Sequence, residues 1–393
     1  MRVVRWALVL GLAIAPIRAW SGSQPIYLAL PPGFFFLDVS ADGQRSVGWS
    51  YGGGPFATVP GYWDVPYANG MFVPIAATVP DTYVKAELVS GDGSTIAGET
   101  YSSASGSPIA IPPGPPTGGF RWDAIGGMTA LPGIVQAGDR VAGISTDGAS
   151  IFGRAGGKAA RWDDGVLTIL TPAGHPDGIA ATLLAERADG RVIGNAEPAA
   201  NESVPPLFLS NGTSLEPLFT PDVGAITATR ATPDGTVVVG FFADPDGRIF
   251  PFRWRDTLVA EFTQLTTRTI RARSFGVSPD GSVVVGAYDD VPPPPGRDFS
   301  AFVWKESTGF RSLADVITAA GQLEPWVRAA RAVASDDRTI VGDGDRTSGF
   351  VALLPPDPVP EPSAVAAGAA ALALWRRYPA QRGCASDSAA GTS

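Results

Sequence analysis

The chain has 393 residues, of which 45% are apolar and 17% charged, with a net charge of −9. That balance, with no basic stripe and lysine only at Lys85, Lys158 and Lys305, argues against duplex nucleic acid as a partner. The single cysteine, Cys384, excludes an intrachain disulfide, and 48 glycines with 37 prolines exclude helical solenoids.

At the N-terminus, Arg2 and Arg5 precede an apolar run over 6–17 and a small residue, Ala19. This pattern predicts a secretory signal peptide over 1–19. The run is shorter than the roughly 20 residues that span a bilayer. A lone β-prone stretch follows at 25–30, Pro-Ile-Tyr-Leu-Ala-Leu.

From there one phrase recurs. Its clearest copy is Gly-Val-Ser-Pro-Asp-Gly-Ser-Val-Val-Val-Gly-Ala-Tyr at 276–288. Pro279 fixes φ, and Asp280 and Gly281 both tolerate positive φ, so a tight hairpin is expected between two strands. The unbroken valines after the turn predict a strand buried on both faces. Equivalent Asp positions are Asp42, Asp92, Asp147, Asp189, Asp234, Asp280 and Asp336, a mean step of about 49 residues.

Each unit carries a second landmark, a short aromatic strand such as Phe120-Arg121-Trp122, Phe252-Arg253-Trp254 or Phe302-Val303-Trp304, and then a fourth apolar run. Four short strands per period of this length predict an all-β, seven-bladed β-propeller over 24–354. The last unit stops after its aromatic strand at 349–354. The stretch at 25–30 is therefore expected to pair with it and close the ring.

A Pro-rich linker follows at 355–363, then an apolar segment with a basic end at 364–377, then a tail at 378–393 expected to be disordered. Val359-Pro360-Glu361-Pro362-Ser363, the apolar run and Arg376-Arg377 together resemble the bacterial PEP-CTERM sorting signal. That resemblance implies an exosortase and the inner membrane as partners during sorting, and a final location at the cell envelope, cell surface or outside the cell. The repeated Ser-x-Asp-Gly, Val-Val-Gly and Phe-Arg-Trp phrases resemble extracellular HAF-repeat proteins, which implies a surface or secreted protein without a defined reaction.

Chemistry-bearing residues are sparse. His175 is the only histidine, and no Gly-x-Ser-x-Gly elbow supplies a partner serine, so a solvated loop histidine is the expectation. No clustered His or paired Cys suggests a metal or other cofactor. One Asp per turn distributes carboxylates around a ring, so the Asp-Gly positions are expected to shape turns and not to bind calcium. Arg121, Arg161 and Arg253 repeat beside the third-strand aromatic and are expected to pair with an Asp-Gly turn or to snorkel to the edge, as part of the scaffold and not of a ligand site.

The loops between second and third strands share a face with the connections between blades. Just past the strand-ending glycines stand Tyr51, Tyr101, Phe242 with Asp244, and Tyr288 with Asp289 and Asp290. Planar rings with carboxylates suit stacking on, and hydrogen bonding to, sugars. The expectation is an exported, non-enzymatic propeller that binds extracellular polysaccharide or a surface protein, or serves as architecture. The alternative is a secreted carbohydrate-active hydrolase or lyase, which a pair of acids about 5 to 9.5 Å apart in a pocket would favour.

Overall fold

The computed structural model describes residues 26–51, 58–65, 72–75, 82–102, 116–196, 206–218, 226–244, 246–255, 258–261, 271–289, 299–319, 327–344 and 348–355. The expected signal peptide, the sorting motif with Arg376 and Arg377, and Asp290 lie outside these residues. The described residues form 28 strands and one short helix, arranged as seven four-stranded antiparallel sheets.

Six blades use four consecutive strands each. The seventh is built from Ala329–Val333, Thr339–Asp343 and Gly349–Leu353, and takes its outer strand, Ile26–Ala29, from the start of the chain. Ile26 pairs with Leu353 and Ala29 with Phe350, in the register expected of ring closure. Closure also has a core: Phe36 and Trp63 of the first blade pack with Val341 and Val351 of the seventh. No unpaired sheet edge is left between the two ends of the ring.

The two sequence landmarks turn out to be cross-strand partners. Gly98 pairs with Phe120, Gly240 with Phe252, Gly286 with Phe302 and Gly342 with Phe350. A Cβ on Gly286 would lie 2.0 Å from the Arg273 carbonyl oxygen and 2.6 Å from the Phe302 ring. The glycine thus lets the inner strand and the aromatic ring both close onto the second strand.

The Asp-Gly turns depart from the expected geometry in one respect. Gly281 takes φ +75°, but Asp280 does not enter the positive region. Ser278 N–H donates to the Val283 carbonyl, and Gly281 N–H to the Ser278 carbonyl, so four residues, not two, bridge the strands. Asp280 instead accepts the Ser278 hydroxyl at 2.6 Å and the Ser282 N–H at 2.9 Å. The same pair of bonds recurs at Asp42, Asp92, Asp147 and Asp234. These carboxylates are occupied in holding their own loops. Leu313–Ala319, next to the outer strand of the sixth blade, is helical and buries Leu313, Val316 and Ile317.

Candidate functional site

A cavity of about 540 Å³ opens on the face that carries the loops between second and third strands, lined by the first, second, sixth and seventh blades. The inner strands build it through a shared irregularity. Each of the seven carries one extra residue where its register with the second strand shifts. Such a bulge leaves that residue out of the ladder and re-aims its side chain. Four of these residues, Leu37, Glu87, Phe275 and Arg331, line the cavity.

One wall is aromatic. Phe35 stacks on Trp49 with centroids 4.3 Å apart, and Tyr51 meets both rings edge-on at 5.9 and 5.3 Å. Tyr83 and then Tyr101 extend the series behind Trp49 at 5.9 and 6.0 Å. Burial pushes the Tyr83 phenol up to about 12. Tyr51 is 48% exposed and Phe299 36%, so both offer ring surface to solvent.

The sixth and seventh blades add cationic side chains to the lining, Arg271, Arg273, Arg328 and Arg331. Arg331 donates two hydrogen bonds to Asp343 Oδ2, at 2.9 and 2.6 Å, and lies over Phe275. Arg273 lies over Phe241 at 5.1 Å. Among the described residues, no carboxylate forms an ion pair with Arg271, Arg273 or Arg328. With Lys85, the lining holds five cationic side chains against two acids, Glu87 and Asp343.

The acids are constrained. Glu99, only 3% exposed, accepts the Tyr101 hydroxyl on one oxygen and the Val141 N–H of the third blade, at 2.9 Å, on the other. Burial raises its pKa. Glu87 is pushed up to about 8 by burial and then by the charge of Glu99, against the pull of Lys85, Arg140 and Arg331. At neutral pH it is therefore mostly uncharged.

At the turn face, inner-strand residues of all seven blades enclose a separate space of about 50 Å³ in the central channel of the ring. There Arg230 of the fifth blade reaches across to the buried Asp38 of the first, which also accepts the Val89 N–H at 3.0 Å. Burial raises the Asp38 pKa, with the Arg230 charge opposing.

The residues singled out in the sequence separate. Tyr51 lines the cavity, and Tyr101 sits behind its aromatic wall. Phe242 and Tyr288 are buried in apolar clusters, against Phe250 and Phe310. Asp244 accepts the backbone and side chain of Arg248, both at 2.8 Å, and closes a tight turn. Asp289 is half-buried and donates its N–H to the Arg271 carbonyl. His175 lies in a turn, its N–H donating to the Pro172 carbonyl at 2.9 Å.

Of the repeated arginines, Arg161 pairs with Asp163 and Glu186, Arg253 donates to the Gly281 carbonyl of the next blade, and Arg121 approaches Asp164 at 3.7 Å. They are inter-blade ties. Phe35, Glu87 and the cavity arginines were not singled out by the sequence reading. Glu87, Phe275 and Arg331 share one signal: each stands three residues before the Ser, or its equivalent, that opens the Asp-Gly turn.

Among the described residues no group of three or more His, Cys, Asp or Glu is placed to hold a metal ion. No protein-family model matches the chain, and no curated protein matches it. Solved structures with a similar fold include oligogalacturonate lyase from Vibrio parahaemolyticus, with TM-score 0.52, 10% identity and coverage of 85% of this chain and 98% of that one. A second, an oligogalacturonate lyase in complex with manganese, gives TM-score 0.50 at 12% identity, covering 86% and 99%. TolB from Acinetobacter baumannii gives 0.40 at 14% identity, covering 79% and 81%. At these identities the likeness is one of fold.

Proposed function

We propose that this chain is an exported, non-enzymatic β-propeller, carried to the bacterial envelope by its C-terminal sorting tail, that binds extracellular polysaccharide through the loop-face cavity. The observation that carries the reading is the cavity itself, about 540 Å³, lined by exposed aromatic rings and by five cationic side chains. That volume lies within the roughly 300–1,000 Å³ of small-ligand sites, so it suits a segment of polymer better than a folded partner.

A carbohydrate-active enzyme is the competing reading. What favours it is Glu87, a carboxylic acid held protonated near neutral pH at the cavity wall. Against it, Glu99 has both oxygens engaged beneath the surface, and Asp343 is held by Arg331. Neither leaves a second carboxylate free to serve as nucleophile or base.

Two measurements test the proposal. The intact mass of the protein from its native envelope and medium is expected to lack about 19 N-terminal residues and everything past the Pro360-Glu361-Pro362 region; a mass retaining the tail would remove the sorting half. Affinity electrophoresis of the purified chain against neutral and acidic polysaccharides is expected to show retardation without new reducing ends or unsaturated products. Turnover would replace the binder with the enzyme.

A further inference from the structure

We propose that the loop-face cavity selects acidic oligosaccharides of the uronate class, whose carboxylates would lie against Arg271, Arg273 and Arg328 while sugar faces stack on Tyr51 and the neighbouring rings. This rests on the polysaccharide-binding reading and goes further in naming the ligand's charge.

The first support is a charge inversion. The whole chain carries −9, yet its loop-face cavity gathers five cationic side chains. Of the two lining acids, Asp343 is already paired with Arg331. Three arginines of two adjacent blades remain without a carboxylate among the described residues. Like charges held together in a concave site repel one another and concentrate a positive field, which an anionic ligand relieves. A neutral polymer would leave that field uncompensated.

The second support is the form of the cations. A guanidinium presents a planar fork of donors that matches a carboxylate bidentately. Arg273 lies on the inner strand Ala272–Val277 and Arg271 immediately precedes it, bridged to Ile249; both arginines are exposed while Ala272 between them is buried. In the same cavity the exposed Tyr51, backed by the Phe35–Trp49 stack, provides a flat apolar ring face. A uronate ring carries both features, a flat C–H face and a carboxylate at its edge.

The test uses the full chain, with short alginate oligosaccharides and the same oligosaccharides after carboxyl reduction as calorimetric titrants. The parent is expected to bind the acidic form at least about tenfold more tightly, the scale of one or more charge-assisted hydrogen bonds. The Arg271→Ala, Arg273→Ala double variant should lose about tenfold or more on the acidic form and little on the reduced one. Tyr51→Ala should lose about three- to tenfold on both. These side chains are exposed, and a thermal melt checks that each variant remains folded.

Equal affinity for both forms, or an arginine variant that binds alginate as the parent does, overturns the inference while polysaccharide binding survives. Dextran sulfate binding that matches alginate and ignores Tyr51→Ala reduces the site to a charge sink and also overturns it. Failure to bind any neutral or acidic polysaccharide removes the underlying reading as well.

Discussion

Glu87 shows how one residue links the ring's interior to its surroundings. Its carboxyl is held near 8 by burial and by Glu99, with Lys85, Arg140 and Arg331 acting the other way. The reference value is 4.5, so from about pH 4.5 to about 8 the unfolded chain releases a proton that the folded chain keeps. Stability is therefore lost as pH rises through that window and levels off above it. Glu87→Gln keeps the shape and removes the ionisation. Thermal melts at the two ends of the window should show a smaller fall in Tm for the variant than for the parent, and parallel falls would show that the carboxyl is not held uncharged. Glu87 is not legible in the sequence, because a Glu on a strand has the pattern of a solvated face. Only the bulge, which depends on hydrogen-bond register and not on residue type, turns it inward.

At the scale of the strand, the blade rests on the pairing of a glycine with an aromatic. Gly286→Ala places a Cβ against the Arg273 carbonyl and the Phe302 ring, neither the flexible end of a long side chain. Overpacking of this kind costs about 1–3 kcal/mol or more, and urea unfolding should show a loss at the upper end of that range. An unchanged midpoint would mean that the blade has slack the geometry does not show. These elements were legible because their chemistry is local: the turn needs Asp and Gly, and the second strand needs Gly opposite Phe. Asp280 tolerates positive φ but does not use it, because four residues bridge the strands and Gly281 alone takes the left-handed position. The aromatics Phe242 and Tyr288 show the converse limit, since a ring at a strand end serves packing or a ligand according to which neighbour it meets.

At the scale of the molecule, the fold depends on two long-range closures. Removing residues 26–30 exposes the edge of Gly349–Leu353 and strips its partner from the seventh blade. The truncated chain is expected to self-associate and to melt less cooperatively, checked by light scattering and calorimetry. The Arg230–Asp38 pair spans the channel from the fifth blade to the first. Arg230→Ala leaves a buried carboxylate unpaired and should cost about 3–5 kcal/mol in chemical unfolding; a cost near zero would show that Val89 N–H alone satisfies Asp38. The strand closure could be read from counting repeats and finding one strand missing. The pair across the channel could not, because nothing in the separation of residues 38 and 230 tells which inner strands face each other around a ring.

Ligand is proposed to meet the ring at the loop face. Hydrogen exchange of the full chain with and without saturating alginate oligosaccharide tests this directly. Protection is expected at the channel-lining ends of Phe34–Val39, Thr82–Val89, Ala272–Val277 and Ala329–Val333, with the Asp-Gly turns unchanged. Protection confined to the turns at Asp42, Asp92 and Asp280, or to the outer strands, would contradict it.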